Sequence, residues 1–133
     1  MRIFWITDLL ESEISMKIYV AYRYSADNVL DVLSNIGRAI HVGTLIARKG
    51  HYPYIPHLDC FIAMFDGSYL DGREIPLEYY YKSSLEWLKV CDAIYIVDEL
   101  DIRDSKGVAR EFEYCMETSK PVYFYLTQLP EVK

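Results

Sequence analysis

The chain is poor in glycine and cysteine, and it has neither where the common nucleotide and metal motifs need them. Six glycines and three cysteines occur in 133 residues. The loop after the first apolar run, Tyr22-Arg23-Tyr24-Ser25-Ala26-Asp27-Asn28, contains no glycine. That excludes a Walker phosphate loop and a GxGxxG dinucleotide turn, both of which need glycine for close backbone approach. The same loop lacks the acidic pair of a response regulator and the Ser/Thr/Gly-rich phosphate loop of a flavodoxin. Cys60, Cys91 and Cys115 form no CxxC pair, and none opens a Cys-x5-Arg phosphatase loop. They read as reduced, mostly buried residues of a cytoplasmic protein. No His/Cys/carboxylate cluster has metal spacing, so neither metal nor cofactor is expected. No apolar run approaches the roughly 20 residues that span a bilayer, and the N-terminus lacks a signal-peptide pattern, so no membrane segment is expected. Basic residues are outnumbered, 14 against 20 acidic, for a net charge of −6. That balance argues against nucleic-acid binding but leaves room for a nucleotide in a local pocket.

What is present is an ordinary globular composition, 52% apolar and 26% charged, with thirteen tyrosines. The length suits one domain with a real core. Residues 1–15 sit apart from residues 16–133. They read either as a mis-assigned start ahead of Met16 or as an added edge strand over 2–7. Lys17–Ala21 is the first buried strand. Asn28 to Lys49 is a long helix whose inner face holds Val29, Val32, Leu33, Ile36, Ile40, Leu45 and Ile46, with Gly50 as its stop. A short strand at Tyr52–Ile55 follows, then an irregular segment from Cys60 to Pro76 with turn signals at Asp66-Gly67-Ser68 and Asp71-Gly72-Arg73. Leu77 to Val90 is the next helix, with Tyr80, Tyr81, Leu85 and Leu88 inward.

The chain is organised around residues 91–125. Ala93–Val97 is short, β-branched and apolar, as for a strand covered on both faces. An acidic loop leads to Ser105, a natural N-cap. A helix from about Gly107 to Thr118 carries Val108, Phe112, Cys115 and Met116 at helical spacing. Lys120-Pro121 ends it, and Val122–Tyr125 is the last strand. The order βα repeated predicts a flavodoxin-like, three-layer α/β/α fold with a parallel sheet of four to five strands and right-handed crossovers. Ligands then sit where strands hand over to helices. Glu111, in the second turn of the last helix, lies at that mouth, and Asp98 ends the strand before it. His41 and His51 read as surface residues.

Several motifs resemble the nucleoside 2-deoxyribosyltransferase superfamily, which includes the 2′-deoxynucleoside 5′-phosphate N-hydrolases. They are Ile18-Tyr19-Val20-Ala21, Pro56-His57, Leu85-Glu86-Trp87-Leu88 before Cys91-Asp92, Ser105-x-Gly107-x-x-x-Glu111, and Lys120-Pro121-Val122. Tyr24-Ser25 and Arg103-Asp104-Ser105-x-Gly107 are similar to a less characterised branch of it. The resemblance covers about residues 17 to 125. It implies cleavage of a nucleoside or nucleoside 5′-monophosphate N-glycosidic bond. Glu111 then matches the catalytic carboxylate, and Tyr19 the tyrosine that orients it. Ser105 matches a phosphate-binding serine. Gly107, Arg23, Ser25, His57 and Asp98 are further candidate substrate contacts, with a surface salt bridge the alternative for Arg23 and a structural turn residue the alternative for His57. It also implies a homodimer or higher homo-oligomer.

Physical chemistry is compatible with that reading. Ser105 and the N–H groups of a helix start make an anion site. A rise of about 1.5 Å per residue sets Glu111 roughly 9 Å along the helix from Ser105. An oxocarbenium-like state calls for a carboxylate on one sugar face. The N-hydrolases carry a leaving-group acid where this chain has Ser84, which leaves His57, Asp59 or Asp98 for that role. The alternative is a non-catalytic nucleotide-binding or sensing module on the same fold.

Overall fold

A computed structural model describes residues 11–12 and 14–133. The candidate edge strand over 2–7 lies outside these residues. The elements are β1 (Glu11–Ser12), β2 (Lys17–Ala21), α1 (Val29–Arg48), β3 (Tyr52–Tyr54), α2 (Asp59–Phe65), α3 (Ser68–Asp71), α4 (Leu77–Val90), β4 (Ala93–Ile96), α5 (Asp101–Asp104), α6 (Lys106–Thr118), β5 (Val122–Tyr123) and β6 (Glu131–Val132). The main sheet is parallel, in the order β3-β2-β4-β5, and β1 pairs in parallel with β6 in a small second sheet.

The layers follow from strand composition. Ile18, Val20, Ala93 and Tyr95 point to one face and pack against Ala39, Val42 and Ile46 of α1. Tyr19, Ala21, Ile94 and Ile96 point to the other and meet Leu88 of α4 and Val108 and Cys115 of α6. Successive side chains of a strand alternate faces, so strands apolar on both sides require helices on both sides. The chain runs from β2 outward to β3, then crosses back over β2 to β4 and on to β5. The order therefore reverses between β2 and β4, and the crevice beyond their C-terminal ends is the expected ligand position. The three-layer α/β/α, flavodoxin-like expectation holds, with four strands in the main sheet.

Some expectations change in detail. Val29 and Leu33 of α1 are exposed, and the buried face begins at Ile36. A helix of 20 residues is about 30 Å long and overhangs strands of half that length. α1 is also, among the described helices, long and apolar enough to cross a bilayer, contrary to the sequence expectation. Its buried residues pack on the sheet, and Asp31, Arg38 and Arg48 lie along it, so it serves here as the inner helix of a globular domain. The irregular segment opens with helix α2, and Gly67 and Gly72 are at positive φ where turns were expected. Tyr81 and Met116 face outward. The last strand stops at Tyr123 because the Phe124 and Tyr125 N–H groups both donate to Gln128 Oε1, at 2.8 and 3.1 Å.

The segment after β5 is part of the core. Leu129 is buried beside α1, and the Val132 N–H donates to Lys49 O at 2.9 Å. A Cβ at Gly50, whose φ is +92°, would lie 2.6 Å from Val132 Cβ, so both backbone and space demand glycine there. His51 is 2% exposed, not a surface residue. Its Nδ1 accepts from the Met16 N–H at 3.1 Å and its Nε2 lies 2.8 Å from Pro130 O, which fixes a neutral ring with the proton on Nε2.

Candidate active site

The helix carrying Glu111 starts as its sequence dictates. The Ser105 hydroxyl accepts from the Val108 N–H at 3.3 Å, capping α6, and Ser105 O accepts from Ala109 N–H at 2.9 Å. Val108 and Cys115 turn into the sheet, which fixes the helix rotation and brings Glu111 over β2. There the Tyr19 hydroxyl lies beside the Glu111 carboxyl and Ser84 of α4, close enough to influence the ionisation of Glu111. One carboxyl oxygen, Oε2, is sealed from solvent and has no hydrogen-bond partner. Burial, opposed by the Tyr19 hydroxyl and the Arg110 charge, pushes the Glu111 carboxyl up to about 7. Tyr19 is itself 1% exposed, and burial together with the Glu111 charge holds its hydroxyl well above the usual phenol range.

Ser105, Gly107 and Glu111 converge. A Cβ at Gly107 would stand 3.9 Å from both Ser105 Oγ and Glu111 Oε1, so the two side chains fold toward one point over the first helical turn. Their side-chain separation is thus shorter than the roughly 9 Å of axial rise between their backbones.

The other sequence candidates are placed differently. Arg23 stands at the β2–β4 reversal and is held by two carboxylates. Its Nε donates to Asp101 Oδ1 at 2.8 Å, its backbone N–H to Asp101 Oδ2 at 2.9 Å, and its Nη2 to Asp98 Oδ2 at 2.6 Å. Asp98 also accepts from the Leu100 N–H at 3.0 Å. Arg23 and Asp98 therefore form a tie across the switch point. His57 is turned inward, 4% exposed, with Nε2 at 2.9 Å from Tyr22 O and 3.1 Å from Arg23 O. Two carbonyl partners require the proton on Nε2, and burial lowers the tendency of the ring to charge. Its Nδ1 is buried without a partner. His57 thus steadies the first loop, while Ser25 lies exposed on it. Among the described residues no group of three or more His, Cys, Asp or Glu forms a metal site.

Two features escaped the sequence reading. Asp101 is 1% exposed and organises the switch point, although it looked like one charge among several in an acidic loop. Opposite charges on the two switch loops were the available signal. The second is a cleft of about 470 Å³ between β3, α2 and α4, lined by Tyr54, Asp59, Tyr79, Tyr80, Ser83 and Trp87 among others. Tyr54 joins it to the Glu111 region, with its ring 5.7 Å from that of Tyr19 and stacked at 5.4 Å on Trp87.

The sequence profile of a protein family matches residues 16–125. The chain belongs to this family, described as a domain of unknown function, DUF7768. The match spans β2 through β5, including Tyr19, Ser105 and Glu111. No curated protein matches the chain.

Proposed function

We propose that this DUF7768 domain cleaves the N-glycosidic bond of a nucleoside or nucleoside 5′-monophosphate, with Glu111 as the group that attacks or stabilises the anomeric carbon. The observation that carries this reading is the Glu111 carboxyl itself, oriented through Tyr19 while Oε2 is dry and unpartnered. A buried carboxyl oxygen without a partner is costly and suits a site where charge develops. Near pH 7 a large fraction of it is ionised. That carboxylate forms the bond to C1′, or pairs with the oxocarbenium, as the electron pair of the C1′–N bond leaves with the base. The base takes up a proton, and water then delivers hydroxide to C1′ and frees Glu111. Ser105 and the α6 N-terminus are the candidate contacts for a 5′-phosphate, with Gly107 keeping the approach open.

Of the three groups considered for protonating the departing base, His57 is sealed and Asp98 is paired with Arg23. Asp59 lines the open cleft, where it meets the base as an acceptor, and the departing base takes its proton from water there. Arg23 is engaged by carboxylates, and so is Arg103, whose Nε donates to Asp104 at 2.7 Å. Phosphate recognition therefore falls to Ser105 and the helix start. The three cysteines are unbonded thiols, with Cys115 pushed up to about 11 by burial, which suits a reducing cytoplasmic setting.

The test is incubation with a panel of ribo- and deoxyribonucleosides and their 5′-monophosphates, following free base by chromatography. Release that disappears in Glu111→Gln supports the reading, and no release from any member rejects it. Ser105→Ala weakens use of monophosphates more than of nucleosides. A second reading, binding without turnover, draws on Ser84: it stands where the N-hydrolases carry an acid and sits beside Tyr19. Thermal stabilisation by a nucleotide without base release favours that reading.

A further inference from the structure

We propose that the cleft between β3, α2 and α4 receives the heterocyclic base, and that Asp59 selects bases presenting an amino N–H edge. The proposal rests on the glycosidase reading for the identity of the ring, but the cleft's chemistry argues for a flat heterocycle independently. Its volume of about 470 Å³ lies in the range of small-molecule sites. One wall is flat: the Tyr54 and Trp87 rings are stacked at 5.4 Å with 21° between their planes. Tyr79 and Tyr80 add further ring surface, set edge to face at 5.7 Å. Planar π systems stack on such surfaces whatever their substituents.

Specificity then falls to the polar groups among these rings. Asp59 is half-buried at the start of α2, and burial raises its carboxyl. It shares the cleft lining with Tyr54 and Tyr80, whose hydroxyls are raised by burial and in part by its charge. An ionised carboxylate only accepts hydrogen bonds, so its partner must bring N–H groups. Amino-bearing bases do so on an exposed edge. The Tyr80 hydroxyl is sealed and unpartnered, a second polar group left over in the same lining.

The cleft also lies where a base must go. Tyr54 lines it and touches Tyr19, whose hydroxyl orients Glu111. Ser83 lines it, and its neighbour Ser84 sits beside Tyr19. A sugar over Glu111 would thus direct its base across Tyr54 into the cleft.

Binding of free bases tests this without requiring turnover. Trp87 fluorescence is followed in a Trp5→Phe background during titration with adenine and cytosine. Purine and pyrimidinone, the same rings without the amino group, are the controls. Adenine or cytosine should quench Trp87 and bind about ten-fold or more tightly than its control, the margin of a hydrogen bond to a charged group. Asp59→Asn should bring each pair within a few-fold while leaving the control's affinity unchanged. No quenching by any of the four, or an amino preference that survives Asp59→Asn, overturns the proposal. Repeating the titration in Glu111→Gln separates the two ideas. Preserved base binding in a protein that releases no base from any substrate upholds the cleft while the glycosidase reading fails. Release without cleft binding does the reverse.

Discussion

Two carboxylates at the C-terminal end of the sheet are buried in opposite ways. Asp101 gives both oxygens to Arg23, accepting from its backbone N–H and its Nε. Glu111 has Oε1 beside Gly107 and Oε2 sealed with no hydrogen-bond partner. The first arrangement satisfies a desolvated charge and ties β2 to the segment after β4. The second leaves one oxygen of a desolvated carboxyl unsatisfied, a cost to the folded chain rather than a tie within it. Paired burial marks a structural tie, and unpaired burial marks a group kept for something else.

The largest expected effect breaks the comparison on the Glu111 side. Glu111→Gln keeps the side-chain volume and removes the charge, so base release should fall by about a thousand-fold or more. Unfolding by urea should show stability unchanged or increased at pH 8, because a dry charge has been removed. A variant as unstable as it is inactive would place Glu111 with Asp101 as a structural group.

The complementary substitution breaks the other side. Asp101→Ala leaves the Arg23 guanidinium with Asp98 alone and its backbone N–H without an acceptor. The pair is buried at the aspartate but partly exposed at Arg23, so the loss should be about 2–3 kcal/mol in urea unfolding, below the full value of a buried pair. Residual base release, scaled to folded protein, should change far less than in Glu111→Gln.

These two sites were unequally legible in the sequence, for a physical reason. The α6 site is built from local rules: Ser105 caps the helix, Val108 and Cys115 set its rotation, and Glu111 then faces β2. Tyr19 could be paired with it only by resemblance. The Arg23–Asp101 tie joins residues 78 positions apart, and no local pattern encodes which of several acidic residues will face Arg23. It exists because β4 adds beside β2, a tertiary outcome. The same holds for His51, which is buried by a C-terminal segment whose own composition looks like a tail. The inner face of α1 was misjudged at Val29 and Leu33 for a geometric reason. Periodicity identifies a stripe, whereas strand length decides how much of the stripe is covered.

Acidity sharpens the contrast further. Glu111 has a folded-state value of about 7 against an ordinary 4.5. Below 4.5 the carboxyl is protonated in both states and its burial is not penalised. As pH rises toward 7 the unfolded chain releases the proton first, so stability falls across this window, by about 3 kcal/mol in total. Urea unfolding between pH 4.5 and 8 should show this slope in the native chain and lose it in Glu111→Gln. Over the same range, kcat/KM should rise with pH to a plateau above about 7, since the ionised form attacks. A rate that falls through 7 instead would make Glu111 a proton donor.

The smaller effects dissect the support of Glu111. Tyr19→Phe removes a hydroxyl that lowers the acidity midpoint of Glu111 and keeps the ring packed on Tyr54. Base release should drop about ten- to hundred-fold, and the pH midpoint of kcat/KM should move upward. A drop without a midpoint shift would mean that Tyr19 positions the sugar and leaves the carboxyl's ionisation alone.

Ser84 is one step further out, beside the Tyr19 hydroxyl, whose pKa it lowers. Ser84→Ala removes that influence from a half-buried position, a loss of about 1 kcal/mol, so the rate should fall only a few-fold. The midpoint should shift in the same direction as in Tyr19→Phe but less, because the hydroxyl that faces Glu111 remains. Combining the two substitutions distinguishes a line of influence from two independent contacts. If Ser84 acts only through Tyr19, Ser84→Ala has no further effect in the Tyr19→Phe background, and the double variant matches Tyr19→Phe. Additive losses would mean that Ser84 meets the substrate itself.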